Sequence, residues 1–138
     1  MMDLLAAYPD AQRTGFGDSP ELSAQLLDLI RQGRKTATCG ALRDYQAEGE
    51  PVPNTGEIMI ADDWDGEPAL AYRLTDVTVC SFAEVTEDFA LAEGEGDFDD
   101  WREGHEAFFA RNGGFDPSML LVCERFELLA VSDVSDKG

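Results

Sequence analysis

Between Asp62 and Cys80 the chain turns sharply and then runs extended, which commits it to an antiparallel sheet. The turn is Asp62-Asp63-Trp64-Asp65-Gly66, and its Asp-Gly pair is a strong hairpin signal because glycine accepts the positive φ of tight turns. After it, Ala69, Ala71, Arg73, Thr75, Val77 and Val79 alternate with Leu70, Tyr72, Leu74 and Thr78, so a strand is expected over 68–80. Residues 57–61 (EIMIA) supply its partner before the turn, and 119–131 supplies the last strand or strands.

Helical signals fill much of the remainder. A short helix is expected over 3–7. A clearer one opens with Ser19 as cap, Pro20 in the first helical position and Glu21 at the positive end of the dipole. Leu22, Leu26, Leu29 and Ile30 form its apolar stripe, and Gly33 stops it. Residues 35–39 then read as extended, 41–48 as a short helix and 51–54 as a loop. Ser81-Phe82-Ala83-Glu84 has the form of a capping box. A longer helix covers about 98–111, where Trp101, His105, Phe108 and Phe109 share a face, and Asn112-Gly113-Gly114 ends it. Helices beside mainly antiparallel strands make an α+β fold, with a small barrel as its expected form.

The 138 residues suit a single domain over 1–131 followed by a flexible tail over 132–138. No apolar run approaches the ~20 residues that span a bilayer, and the first ten residues are acidic where a signal peptide is basic. A cytoplasmic protein without a membrane partner is expected. Cys39, Cys80 and Cys123 are too scattered for a disulfide framework or a CxxC pair, and are expected to be reduced. One histidine and no ligand spacing argue against structural zinc, and Asp63-x-Asp65-Gly66 lacks the first acid of a calcium loop because Ala61 stands there. No metal or cofactor is therefore expected.

A net charge of −19 repels polyanions, so sequence-independent RNA or DNA binding is disfavoured. The cations are nevertheless clustered: Arg31, Arg34, Lys35 and Arg43 are four of the ten Lys and Arg residues. Lys35 is one of two lysines in a chain that otherwise uses arginine, and lysine is the cation that burial can neutralise.

Two segments carry chemistry. Gly33-Arg34-Lys35-Thr36-Ala37-Thr38 lacks the first glycine of a phosphate-binding loop. A regular strand would point Lys35 and Thr38 to opposite faces, whereas a bend after the helix would let both reach one cavity. On local sequence alone the segment also reads as a strand start with a snorkelling lysine. In Glu93-Gly94-Glu95-Gly96-Asp97, glycines around a carboxylate allow a sharp inward bend, though a flexible acidic connection fits the same residues. His105, four residues after Trp101, is expected mainly as a hydrogen-bonded packing residue.

Taken together, G-R-K-T-A-T after an amphipathic helix, A-E-G-E-G-D-F-D-D-W-R-E-G-H-E-A-F-F from Ala92, and the closing L-V-C-E-R-F from Leu121 resemble the ASCH family, over roughly residues 19–130. That resemblance implies a PUA-like β-barrel with flanking helices. It also implies a catalytic set of Lys35, Thr38 and Glu95, as in small members that act as amidohydrolases on N4-acetylcytidine. Arg34, Thr36, Glu93, Trp101, His105 and Arg43 are the expected ligand contacts. On this reading Thr38 Oγ attacks an amide carbonyl, a neutral Lys35 takes its proton, and Glu95 orients Lys35 or shuttles a proton to the leaving amine. Lys35→Ala should then abolish turnover and leave folding intact. The alternatives are an RNA-binding or RNA-processing module using Arg31, Arg34, Lys35 and Arg43, and a regulatory domain with a degenerate site. The longer chain, the loop near 48–53 and the W-R-x-x-H helix depart from the short amidohydrolases and bear on substrate.

Overall fold

The Asp-Gly turn forms as its residues dictate. Gly66 takes φ 84°, and Asp63 Oδ1 accepts the backbone N–H of Asp65 at 2.9 Å and of Glu67 at 3.0 Å. The turn joins β3 (Ile58–Asp62) to β4 (Pro68–Ser81) as an antiparallel pair in the computed structural model, which describes residues 3–132. The long β4 then pairs along its length with β5 (Leu120–Val131). Register shifts at Ala71/Tyr72 and Leu74/Asp76 interrupt that ladder, and such bulges sharpen the twist that curls a sheet. On the far side of β5 lies β2 (Ala37–Ala41), also antiparallel.

β1 (Gln12–Gly15) completes the order β1-β3-β4-β5-β2 and runs parallel to β3. The sequence did not announce it, because Gln12-Arg13-Thr14-Gly15 has no apolar alternation. Its place comes from the neighbouring strand and from Arg13, which pairs with Asp62 at 2.8 Å. The result is an α+β fold with a mixed, curled half-barrel sheet of the PUA-like type.

Helices cover both faces. α1 (Leu4–Ala7) is capped by Asp3, and α2 (Pro20–Arg31) by Ser19, whose hydroxyl accepts from Leu22 N–H at 3.1 Å. Leu26, Leu27 and Ile30 of α2 pack on Met59, Leu70, Tyr72, Leu74 and Phe126. α3 (Leu42–Ala47) follows β2 directly. The capping box at Ser81 and Glu84 forms around a single 3-10 turn, Phe82–Glu84. α4 (Glu87–Ala92) begins separately, under a Thr86 cap. With α5 (Phe98–Arg111) it builds a second core of Phe89, Trp101, Phe109, Ala37, Ala41 and Leu121. A third, smaller cluster of Leu4, Ile60 and Ala71 lies under α1, and edge strand β2 borders both the second cluster and the site.

Ser132, the first residue of the expected tail, is buried and donates its N–H to Ala69 O at 2.8 Å; residues 133–138 lie outside the described residues. The three cysteines are free thiols in strands. No helix among the described residues is long and apolar enough to cross a membrane.

Candidate functional site

The site begins where α2 stops. Gly33 turns the chain with φ 77°, and the N–H groups of Arg34 and Lys35 both donate to Leu29 O, at 3.0 and 3.1 Å. This bend before β2 solves the alternation problem, because Lys35 precedes the regular strand and Thr38 lies within it. Thr36 N–H then donates to Ala92 O at 2.8 Å, which ties the bend to the end of α4. Gly94 follows with φ 75° and lies against the Arg34–Lys35 backbone. A Cβ there would stand 2.9 Å from the Arg34 carbonyl carbon and 3.3 Å from Lys35 Cα. Only glycine permits this approach, which sets Glu93 and Glu95 around Lys35.

Lys35 is 1% exposed, yet its Nζ donates to Glu93 Oε1 and Glu95 Oε2, each at 3.0 Å, and reaches Glu93 O at 3.5 Å. These contacts engage all three ammonium hydrogens. Burial favours the neutral amine, but Glu93 and Glu95 outweigh it and raise the pKa above the ordinary lysine value. Two carboxylates at 3.0 Å and this direction run against a neutral, proton-accepting Lys35. It is an ammonium, and what it does is hold two carboxylates.

Glu93 is equally buried. Its Oε2 accepts from Trp101 Nε1 at 3.0 Å, and its Oε1 lies 3.6 Å from His105 Nε2. Burial would raise its pKa; Lys35 foremost, with His105 and Trp101, instead holds the carboxyl well below the usual range. The other nitrogen of His105 lies 2.8 Å from Trp101 O. Either neutral tautomer would point one lone pair at an oxygen, whereas imidazolium presents an N–H towards both. Burial opposes that charge, but Glu93 prevails and the His105 pKa is raised.

A cavity of 520 Å³ opens onto this cluster, within the range of small-ligand sites. Lys35, Thr38, Glu93, Glu95 and His105 line one part, and Phe16, Leu26, Met59 and Tyr72 give it apolar walls. Both edge strands, β1 and β2, border it, so the cavity occupies the gap that an unclosed barrel leaves.

Residues 12–130 match the family model of the ASCH domain. The chain belongs to the ASCH domain family. It is similar to the crystal structure of an ASCH domain from Lactobacillus crispatus, at 33% identity over 89% of this chain and 82% of that one, with a TM-score of 0.78. A crystal structure of a protein from Enterococcus faecalis is 35% identical over 97% of this chain and 88% of that one, with a TM-score of 0.84. No curated protein matches the chain.

The ASCH domain places the remaining expected contacts away from the cavity wall. Arg34 and Thr36 are exposed, and the Thr36 hydroxyl donates to Ala92 O at 3.4 Å. Trp101 is buried behind His105, stacked on it with ring centroids 4.4 Å apart, and serves Glu93. Arg43 donates to the carbonyls of Gly114 at 2.6 Å and Asn112 at 3.3 Å. Of the four clustered cations, Lys35 is enclosed and Arg43 is spent on backbone carbonyls, while Arg34 is exposed and Arg31 half-buried.

Among the described residues, donor atoms of Cys39, Glu93 and His105 lie within 4.8 Å of one another. The set does not fit a divalent ion, because the Lys35 ammonium already occupies the same Glu93 oxygen that faces His105. Burial, with Glu93 beside it, pushes the Cys39 thiol up, so it stays protonated and is a poor metal ligand or nucleophile.

One cavity-lining group escaped the sequence reading. Glu124 is only 5% exposed and stands opposite Thr38 in the β2–β5 register. Tyr45 O–H donates to its Oε2 at 3.3 Å. Burial raises its pKa to about 7 against the opposing hydrogen bond from Tyr45, with Glu57 adding to the rise. A signal was present: on one face of β5, Val122 and Phe126 flank this acid, and an isolated carboxylate on an inward strand face asks for a reason.

Proposed function

We propose that this ASCH domain binds a compact, uncharged ligand of nucleoside size and hydrolyses an N-acyl group on it, with N4-acylcytidine as the model substrate. The observation that carries this reading is the cavity onto which both Thr38 and the Lys35-anchored Glu95 open. Apolar and aromatic walls suit a planar base, and the strongly negative protein tolerates a neutral nucleoside better than a polyanion. Thr38 supplies the hydroxyl nucleophile. Lys35 holds Glu95, 25% exposed, at the cavity, where the carboxylate orients the substrate's amide nitrogen. Lys35 is thus a positioning residue, and the proton of Thr38 must go to another group.

The RNA reading keeps Arg31 and Arg34 of its basic cluster but not the enclosed Lys35 or the carbonyl-bound Arg43. Turnover of a panel of N-acylated nucleosides, read across salt concentrations, tests the choice. The expected result is release of the free nucleoside at a rate nearly independent of salt. A protein that leaves every member intact, but binds RNA with a log–log salt slope of about −0.7 per phosphate contacted, would contradict it.

A further inference from the structure

Amide hydrolysis at Thr38 requires a proton acceptor, and the group expected to serve, Lys35, has no lone pair to offer. Glu124 meets the geometric requirement. Thr38 and Glu124 are directly opposed residues of β2 and β5. Side chains of opposed residues project to the same face, with Cβ atoms about 5 Å apart, and both of these line the cavity. Tyr45 fixes one carboxyl oxygen of Glu124 and leaves the other available. Burial keeps bulk water from competing for it.

We infer that Glu124 is the acid–base residue of this site, exchanging a proton with the Thr38 hydroxyl and then with the leaving nitrogen, and that Tyr45 positions it. The inference rests on the hydrolase reading above. In the first half-reaction the Thr38 oxygen forms a bond to the carbonyl carbon, and its proton passes to the Glu124 carboxylate. The C–N bond then breaks, and the same proton goes from Glu124 to the departing nitrogen. In the second half water replaces the hydroxyl: its proton goes to Glu124, its oxygen bonds to the acyl carbon, and the ester C–O bond breaks. Glu124 returns the proton to Thr38. The sum is amide plus water giving carboxylic acid plus amine, with every group restored.

The ionisable neighbours of Glu124 are Tyr45 on α3, Glu57 ahead of β3, Tyr72 on β4 and Cys123 on its own strand. Both tyrosines and the thiol have raised pKa values with burial as the largest cause, so they stay neutral, and Glu57 adds to the rise at Glu124. Glu124 therefore ionises near neutrality, where a base that must both take and return a proton works best. Activity should rise with pH through a midpoint of about 7.

The test is the pH profile of kcat/KM on N4-acetylcytidine for the wild type, Glu124→Gln and Tyr45→Phe. Glu124→Gln should lower kcat/KM by about 100-fold or more, in the range general acid–base catalysis contributes, and should abolish the ascending limb. Folding is not at risk. A carboxyl with a raised folded pKa contributes stability below its unfolded value and loses it as pH rises, so the neutral amide stabilises the fold at neutral pH and above. Tyr45→Phe removes the hydrogen bond that lowers the Glu124 pKa and should move the midpoint to higher pH. A purely structural Glu124 would not produce that shift. A wild type that turns over while Glu124→Gln keeps the same rate and profile overturns the inference and leaves the hydrolase reading standing. A wild type with no turnover at any pH overturns both.

Discussion

Lys35→Met is expected to destabilise the fold by roughly 3–5 kcal/mol at neutral pH, the cost of leaving a buried ion partner behind. Loss of the ammonium strands Glu93, 1% exposed, with only His105 at 3.6 Å as a remaining cation. Set against a total stability of about 5–15 kcal/mol, the variant would be poorly folded. The deficit should depend on pH in a defined direction. In the wild type the Glu93 carboxyl is held below its ordinary 4.5, so it contributes stability above that value and loses it as pH falls. Without Lys35 the carboxyl prefers to be protonated, so the gap between variant and wild type should narrow as pH drops towards 4.5. Lys35→Met with Glu93→Gln, which keeps an acceptor for Trp101 Nε1, should recover much of the loss. Urea denaturation of the three proteins at two pH values reads all of this; a single variant as stable as wild type at neutral pH would contradict it. The earlier expectation that Lys35→Ala leaves folding intact is thus replaced: lost turnover in that variant would report lost structure.

Gly94→Ala should be as severe for a different reason. The added methyl meets the Arg34 carbonyl, a backbone group that cannot rotate away, and Gly94 already has φ 75°. Strain of about 1–3 kcal/mol from the backbone conformation adds to the cost of pushing the loop off Lys35. Because the loop carries Glu95 as well as Glu93, ligand binding should disappear together with stability. Gly104, on α5 with open space around it, is the control: Gly104→Ala should be neutral or mildly stabilising. Thermal melts distinguish the two, and equal melting temperatures for both variants would refute the close-approach explanation.

The contrast between these glycines shows what the sequence could and could not disclose. Glycines around a carboxylate signalled a sharp inward bend, and Gly94 supplies one by lying against Arg34 and Lys35. The hairpin, α2 and α5 were legible because their signals are local: an Asp-Gly turn, caps and apolar spacing. β1 was not, since its four residues become a strand only because β3 lies beside them. The charge state of Lys35 was not legible either, because two carboxylates in a distant loop decide it. Glu124 was one acid among 29 until the register set it opposite Thr38, with Tyr45 at hand.

The most direct measurement is release of cytidine from N4-acetylcytidine by purified wild type and by Thr38→Val, which replaces the hydroxyl with a methyl of similar volume. The expected result is steady release by the wild type and a loss of at least about 100-fold in kcat for the variant, with KM little changed. Release that persists undiminished in Thr38→Val, or none from the wild type, would contradict the assignment of this cavity as a hydrolytic site.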